Sequence, residues 1–509
     1  MPTAAFTTLG CKVNQYETQR ILDDFEARGF AIAEINAPAD IYVINTCSVT
    51  QAAERKSRYL VRKVARQNPE SIVVVTGCYA EMAKIKAEPI ENVSLVVPNH
   101  LKLATLEHVS HAYPHLLEAI DRAPAHVSLK TPSHRTRATI KVQDGCDVFC
   151  SFCSIPYTRK VMGSRPLAEV VAEAEHRARQ GYRELVVTGV LVGAYGQEAA
   201  PRAGGRSTKT ADGDSPHTRH AKNRSLPSSP DLADLLLAVA QVPGITRVRL
   251  SSIEPTQVTD RLLEAFAGEP KLCRHLHIPL QSGDDGVLLA MNRPYDQRYY
   301  LERCSAALER IPDLAITSDI MVGFPGEDRS AFENTLHVVR TVGYARAHLF
   351  RYSPRPGTPA AERTDQVPEE EKEGRSQELG AECRAVQQRF IRRFLGRELA
   401  VLVEGKEGDG GVPAAEYGDS GNSGHARVNP EEAATTSSSV RLLSGYTSNY
   451  IRVRFTGGTH LMGQEVMARL LEPIQDGALG EVGGAHFGPR EAPPDADFIP
   501  MGDIGAALS

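Results

Sequence analysis

Six cysteines in two groups of three carry the chemistry open to this chain. Cys146, Cys150 and Cys153 stand in the run Gly-Cys-Asp-Val-Phe-Cys-Ser-Phe-Cys, a C-x3-C-x2-C spacing. Three thiolates so placed can hold three corners of a cubic iron–sulfur cluster, and no fourth cysteine lies close by, the next being Cys273. Clusters normally take four thiolates, so a local trio suggests an iron left open for another ligand. Zinc, which prefers four ligands in matched pairs, and unliganded thiols are the alternatives. The second group is dispersed: Cys11, Cys47 and Cys78 each follow a strand-like run almost at once. Ligands collect at the carboxyl ends of the strands in an open α/β sheet, so these three would converge on one site. Three buried free thiols are the plainer reading.

The elements that must position these cysteines alternate strand-like and helix-like patterns. In the first hundred residues the strand candidates are Phe6–Leu9, Ile41–Asn45 and Ile72–Thr76. Between them, Ile21, Leu22 and Phe25 share one helical face, and Leu60, Val61 and Val64 another. This reads as an open parallel α/β sheet. A second series begins near Ala138, with strands at Thr139–Gln143, Leu185–Thr188, Val248–Ser251, Leu276–Ile278, Ala315–Asp319 and Ala347–Phe350. Helices such as Leu167–Arg179, Thr259–Phe266 and Tyr300–Arg310 lie between these strands. About six such units are too few for a full eight-stranded barrel, so an open, partial (β/α)6 barrel is expected. The Cys146 loop follows its first strand, at the end where such barrels place their chemistry.

The chain has 509 residues, enough for about three domains. Its nine cysteines are too few for a secreted disulfide scaffold of this length. Met-Pro-Thr-Ala-Ala-Phe has no basic region leading into an apolar core, and no run of about eighteen apolar residues occurs. A reducing cytoplasm, with no membrane partner, is the expected home. The net charge of −5 carries no global sign of nucleic-acid binding, so any RNA contact must come from local basic patches. Two segments, 198–230 and 406–439, are rich in Gly, Ser and other small or polar residues and read as disordered insertions. Glu398–Glu404, Tyr450–Phe455 and His460–Leu470 read as pieces of a small β-barrel, and 473–509 as a flexible tail. Arg384, Arg389, Arg392, Arg393 and Arg397 form a basic helical patch beside it. With exposed tyrosines this suits RNA backbone and unstacked bases; a solvated helix and a generic capping domain fit as well.

Together these residues resemble the methylthiotransferases, a branch of the radical S-adenosylmethionine enzymes. The likeness rests on Thr8-Leu-Gly-Cys-Lys-Val-Asn-Gln-Tyr-Glu17, Asn45-Thr-Cys-Ser-Val-Thr50 and Thr76-Gly-Cys-Tyr79. It extends through Gly145–Pro156, His277-Ile-Pro-Leu-Gln-Ser-Gly283 and Asp319-Ile-Met-Val-Gly-Phe-Pro-Gly-Glu327. It implies three domains: a cluster domain over 1–115, a radical domain over 132–380, and a TRAM-like RNA-binding barrel over 392–472. Gly10–Thr18 and Gly445–Arg452 look most like the branch acting on threonylcarbamoyladenosine 37 of tRNA. Isopentenyladenosine 37 or a ribosomal protein is the alternative acceptor. An RNA-binding protein with purely structural metal clusters is the rival of another class.

The resemblance also implies the cofactors: two [4Fe–4S] clusters and S-adenosylmethionine. Cys146, Cys150 and Cys153 would hold the cluster that binds and cleaves S-adenosylmethionine. Cys11, Cys47 and Cys78 would hold the one that carries the sulfur to be inserted at carbon 2 of the base. Gly189, Glu254, Pro279 and Gln281, at strand ends, would contact S-adenosylmethionine, although a turn glycine, a helix start and a strand terminator are competing roles. No catalytic residue is expected beyond the cluster ligands. His277 reads as a hydrogen-bonded core residue, and Cys273, Cys304 and Cys383 as structural or surface thiols. The partners implied are the tRNA anticodon loop and an electron donor such as a flavodoxin or ferredoxin system.

Overall fold

Runs of β-branched residues become parallel strands wherever amphipathic helices separate them, because each crossover helix covers the sheet it returns to. The computed structural model describes residues 1–48, 51–121, 136–197, 229–406 and 441–483. Its first sheet contains β1 (Thr3–Thr8), β2 (Ala31–Ala33), β3 (Ile41–Thr46), β4 (Ile72–Gly77) and β5 (Leu95–Val96). The order is β2-β1-β3-β4-β5, all parallel. Every residue of central β3 is buried. Ile41 and Val43 face Ile21 and Phe25 of α1 (Lys12–Arg28). Tyr42 and Ile44 face Val61 and Val64 of α2 (Gln51–Gln67) on the opposite side. The helix Pro114–Asp121 adds Leu116 to the α1 layer, so this domain runs past the expected boundary at 115.

The central domain has two sheets. β6 (Arg137–Asp144), β7 (Gly163–Ser164), β8 (Glu184–Gly189) and β9 (Arg247–Leu250) pair in the order β7-β6-β8-β9. β10 (His275–His277), β11 (Ala315–Val322) and β12 (Arg346–Arg351) form the other. Isolated parallel bridges, Val248 to Leu272 and Ser252 to His277, carry one sheet into the next. β7 alone runs antiparallel to its neighbour, so the six remaining strands make the expected partial barrel. Five helices around it start on side-chain caps: Asp231, Thr259, Asp284, Asp296 and Asp328 each accept the amide three residues on. Such a cap typically contributes about 1 kcal/mol.

The third unit is a closed barrel of β13 (Glu398–Lys406), β14 (Arg441–Thr447), β15 (Arg452–Gly457), β16 (Glu465–Ile474) and β17 (Gly477–Val482). The last strand lies inside the segment read from composition as a flexible tail. Its small residues are a packing requirement: a Cβ on Gly477 would collide with the Arg452 carbonyl, and one on Gly480 would come within 2.6 Å of Val453. One helix, Glu369–Arg392, bridges the expected limits at 380 and 392. Leu379, Cys383 and Val386 pack in the central core, and Phe390 and Ile391 in the barrel core. Most of each expected insertion, and the end of the expected tail, lie outside the described residues. No helix among the described residues is long and apolar enough to cross a membrane.

Candidate functional site

Cys146, Cys150 and Cys153 sit on the loop leaving β6, whose shape is fixed at both ends. Gly145 has φ +81°, and a Cβ there would strike the Val161 carbonyl, so the sharp turn into the loop requires glycine. On the far side, Asn292 Nδ2 donates to the Val148 and Phe149 carbonyls at 3.2 and 2.9 Å. Ser151 Oγ donates to the Ala290 carbonyl at 2.8 Å. Cys150 Sγ accepts from Arg293 Nη1 at 3.1 Å, and the same guanidinium pairs with Glu254. Cys153 Sγ accepts the Ile155 amide at 3.4 Å. Burial pushes the Cys150 thiol up to about 11, although Arg293 pulls the other way. Burial likewise raises Cys146, with Cys150 and Cys153 adding to the effect.

Cys11, Cys47 and Cys78 stand at the carboxyl ends of β1, β3 and β4, which are neighbours in the sheet. Cys11 caps α1, and Cys78 opens α3 (Cys78–Ile85) directly after Gly77. Gly77 has φ +98°, and a Cβ on it would meet Thr46 and Asn45 on the adjacent strand end. Cys47 and Cys78 are buried. Burial raises the Cys11 thiol; Arg159 opposes this, and Cys78 reinforces it. Cys78 also reinforces the upward displacement of Cys153, which burial dominates, so the two trios lie within electrostatic reach of each other. Next to them, Ser48 Oγ and Ser154 Oγ are 3.5 Å apart.

The residues that lock these two domains together were given no role from the sequence. Glu17 of α1 is 1% exposed and meets Lys102 Nζ at 2.7 Å, Lys141 Nζ at 2.6 Å and Arg159 Nη2 at 2.8 Å. Asp144 shares Arg159 at 2.7 Å. Burial favours the neutral carboxyl, but Lys102, Arg159 and Lys141 outweigh it and hold Glu17 well below the usual carboxylate range. Arg159 in turn couples to Cys11 and Cys78, so positive charge borders the amino-terminal trio. Arg293 carries no metal-ligating atom, so the spacing of ligand types does not point to it. An arginine set between the large side chains of Met291 and Tyr295 was the available signal.

Glu254 reaches the central trio through Arg293, as part of the wall behind Cys150. Gly189 packs against Gln143, whose side chain donates to the Asp144 and Gly145 carbonyls and accepts the Leu191 amide. It is the last residue of β8, and a Cβ on it would come within 3.1 Å of Gln143 and Val192. The Pro279 carbonyl accepts from Tyr295, and Gln281, at φ +63°, exchanges backbone bonds with Asp319 and Met321. His277 bonds Thr317 at 2.9 Å and lies 3.4 Å from Asp319. Cys273, Cys304 and Cys383 are all buried.

The carboxyl-terminal barrel is less open than expected. Tyr450 stacks on His275 at 4.3 Å and on Tyr446 at 4.9 Å, with Arg249 and Arg137 over their rings. These tyrosines are half-buried in the joint between the barrel and the central domain. Arg452 and Arg454 both pair with Asp476. Of the basic helical patch, Arg393 and Arg397 lie over Phe390 and Phe394, and Arg397 also pairs with Asp313. Arg384, Arg389 and Arg392 are exposed.

As they stand, neither trio grips a single metal ion, and no group of three or more His, Cys, Asp or Glu among the described residues does so. Each trio nonetheless offers an all-sulfur donor set, free of disulfides, with a guanidinium near its sulfurs. Soft thiolates beside fixed positive charge suit an anionic iron–sulfur cluster.

Comparisons with known proteins agree with this division. A family model described as an uncharacterized protein family, UPF0004, matches residues 3–97, and one described as the radical SAM superfamily matches residues 140–339. The threonylcarbamoyladenosine tRNA methylthiotransferase MtaB of Bacillus subtilis is 34% identical over 93% of this chain and 94% of its own length. The protein of the same name from Thermotoga maritima is 35% identical over 79% and 87%. The tRNA-2-methylthio-N(6)-dimethylallyladenosine synthase of Akkermansia muciniphila is 32% identical over 80% and 88%.

Proposed function

This chain belongs to the radical S-adenosylmethionine tRNA methylthiotransferases, and from that premise we propose that it adds a methylthio group to carbon 2 of threonylcarbamoyladenosine 37 in tRNA. The observation that carries this reading is the pair of thiol trios, one on each side of a single domain interface, where Ser48 beside Cys47 and Ser154 beside Cys153 meet at 3.5 Å. The family works with S-adenosylmethionine and iron–sulfur clusters, and the six cysteines are the residues to hold two [4Fe–4S] clusters. When bound, the cluster on Cys146, Cys150 and Cys153 would supply the electron that cleaves S-adenosylmethionine to a carbon radical, and the other cluster the sulfur.

The chain's own residues do the positioning. Arg293 donates to Cys150 and is itself held by Glu254, so the sulfur can carry negative charge without water around it. Asn292 and Ser151 fix the loop backbone that carries the three thiols. Glu17 and its cations hold the amino-terminal trio against the central one. Gly189, Glu254, Pro279 and Gln281 are proposed to line the S-adenosylmethionine site. A flavodoxin- or ferredoxin-type protein is the proposed electron donor, and a reducing cytoplasm the setting that keeps the thiols free.

Relatives named for dimethylallyladenosine make that base the second reading of the acceptor. Nucleoside digests of tRNA decide between them. Deleting the gene should remove 2-methylthio-threonylcarbamoyladenosine, and restoring it should bring that nucleoside back. Loss of the dimethylallyl product instead would overturn the acceptor. Reconstituted protein that forms no 5′-deoxyadenosine under reduction, with its clusters intact, would overturn the enzyme.

A further inference from the structure

We infer that the outer face of α2 is the track along which the tRNA phosphate backbone leaves the site. This rests on the tRNA reading above and moves the principal RNA contact away from the carboxyl-terminal barrel, where both arginines of β15 already share Asp476.

The chain as a whole carries −5, yet α2 holds Arg55, Lys56, Arg58, Arg62, Lys63 and Arg66 against Glu54 alone. The helical period explains the arrangement. Ser57, Val61 and Val64 are buried against the sheet, while Arg55, Arg58, Tyr59, Arg62 and Arg66 are exposed on the other side. Arg55, Arg58, Tyr59, Arg62, Lys63 and Arg66 line a shallow hollow of about 710 Å³. Tyr59, in the middle of this basic surface, is 62% exposed, so the face of its ring is open to a flat partner. Arg62 reaches Glu91 at 3.4 Å, but both side chains are more than half exposed, so that pair is weak and easily exchanged for a phosphate. Arg55, Lys56 and Arg66 form no ion pair among the described residues.

Position adds to charge. α2 begins at Gln51, just after Cys47, so the helix leads away from the amino-terminal trio. Its 17 residues span about 25 Å at the ordinary helical rise. A row of guanidinium groups around a flat ring is the combination that holds single-stranded and loop RNA: charge follows the backbone, and the ring accepts an unstacked base. An acidic protein would satisfy the charges but would leave Tyr59 without a role.

The test uses the full chain, reconstituted with iron and sulfide, and a synthetic anticodon stem–loop carrying threonylcarbamoyladenosine at position 37. Binding is followed by fluorescence anisotropy over a range of salt. The triple variant R55E/R62E/R66E should bind roughly ten- to hundred-fold more weakly. Its slope of log affinity against log salt should fall by about two, as expected for three lost phosphate contacts. Tyr59→Ala should weaken binding roughly ten-fold and leave that slope unchanged. All four positions are exposed, so circular dichroism and iron content should match the parent. A triple variant that binds with the parental affinity and slope overturns the assignment and leaves the tRNA reading intact. A parent protein that binds no stem–loop overturns both. Retained RNA binding with lost capture of an acidic electron carrier gives the surface to a protein partner and also overturns it.

Discussion

Two joints hold the flanking domains to the central barrel, and each is built on one buried glutamate ringed by three cations. At the amino-terminal joint Glu17 meets Lys102, Lys141 and Arg159, with cations drawn from both domains. At the carboxyl-terminal joint Glu184 meets Arg249 at 2.7 Å, Arg247 at 2.8 Å and Arg137 at 3.9 Å, all from the central domain. The second joint uses only arginine because each guanidinium serves two partners. Arg249 also donates to the Thr447 and Ser448 carbonyls, Arg247 to the Tyr446 carbonyl, and Arg137 pairs with Glu404. A lysine has no fork with which to bridge a carboxylate and a barrel carbonyl in fixed geometry. The first joint can use lysines because a compact charge suffices there. Burial and the adjacent Arg159 hold the Lys102 ammonium below the usual lysine range, while Glu17 opposes them. One joint is a fixed weld, and the other borders the amino-terminal thiols through Arg159.

The largest expected effect separates the thiols from either joint. Cys150→Ala and Cys78→Ala should each leave about half the iron of the reconstituted protein. Only Cys150→Ala should abolish formation of 5′-deoxyadenosine. Iron assay and Mössbauer spectra check this, and full iron in either variant would refute the proposed ligand sets. Next, Glu17→Gln leaves three cations facing a neutral amide in a dry interface, and should destabilise the metal-free protein by about 3–5 kcal/mol. Denaturant titration measures that loss. Iron retention at the amino-terminal trio should fall with it, whereas Glu184→Gln should leave iron content alone.

Acid should act on the weld with a defined sign. Burial favours protonation of Glu184, but Arg249, Arg247 and Arg137 outweigh it and bring its pKa down to about 2, below the ordinary 4.5. Its stabilisation is therefore complete above about pH 4.5 and is lost as pH falls from there toward 2. The full loss is roughly 3 kcal/mol. Denaturation midpoints measured from pH 6 downward should show it, and Glu184→Gln should flatten that part of the profile. An unaltered profile in the variant would mean the arginines hold the barrel through its carbonyls alone. The smallest effect sits beside the central trio. Arg293→Gln should weaken iron retention there by about 10–100-fold, as loss of a contact behind a metal ligand usually does. Chelator challenge measures it, and Arg293→Lys should recover part of the loss.

The strands that carry the thiols were legible because their apolar runs are long and their helices amphipathic. Leu167–Arg179 is a helix with the bounds its sequence pattern gives. The last barrel strand was not legible: Gly477, Ala478 and Gly480 carry no periodicity, and their smallness makes sense only beside β15. The exposed tyrosines expected beside the barrel are likewise not free: Tyr450 stacks on His275, more than 170 residues away in the chain, and Tyr446 on Tyr450.

Spacing alone determined that three of the sulfurs share a loop, and strand ends determined that three more share a sheet edge. Both follow from local rules, since the reach of a loop and the period of a helix act within a few residues. Which cations surround those sulfurs, and that the two trios border one domain interface, only the tertiary structure decided. Glu17 and Arg159 are brought together by the docking of two domains, and Cys150 and Arg293 by the closing of the central barrel, and pair attractions over such chain distances leave no mark on sequence period.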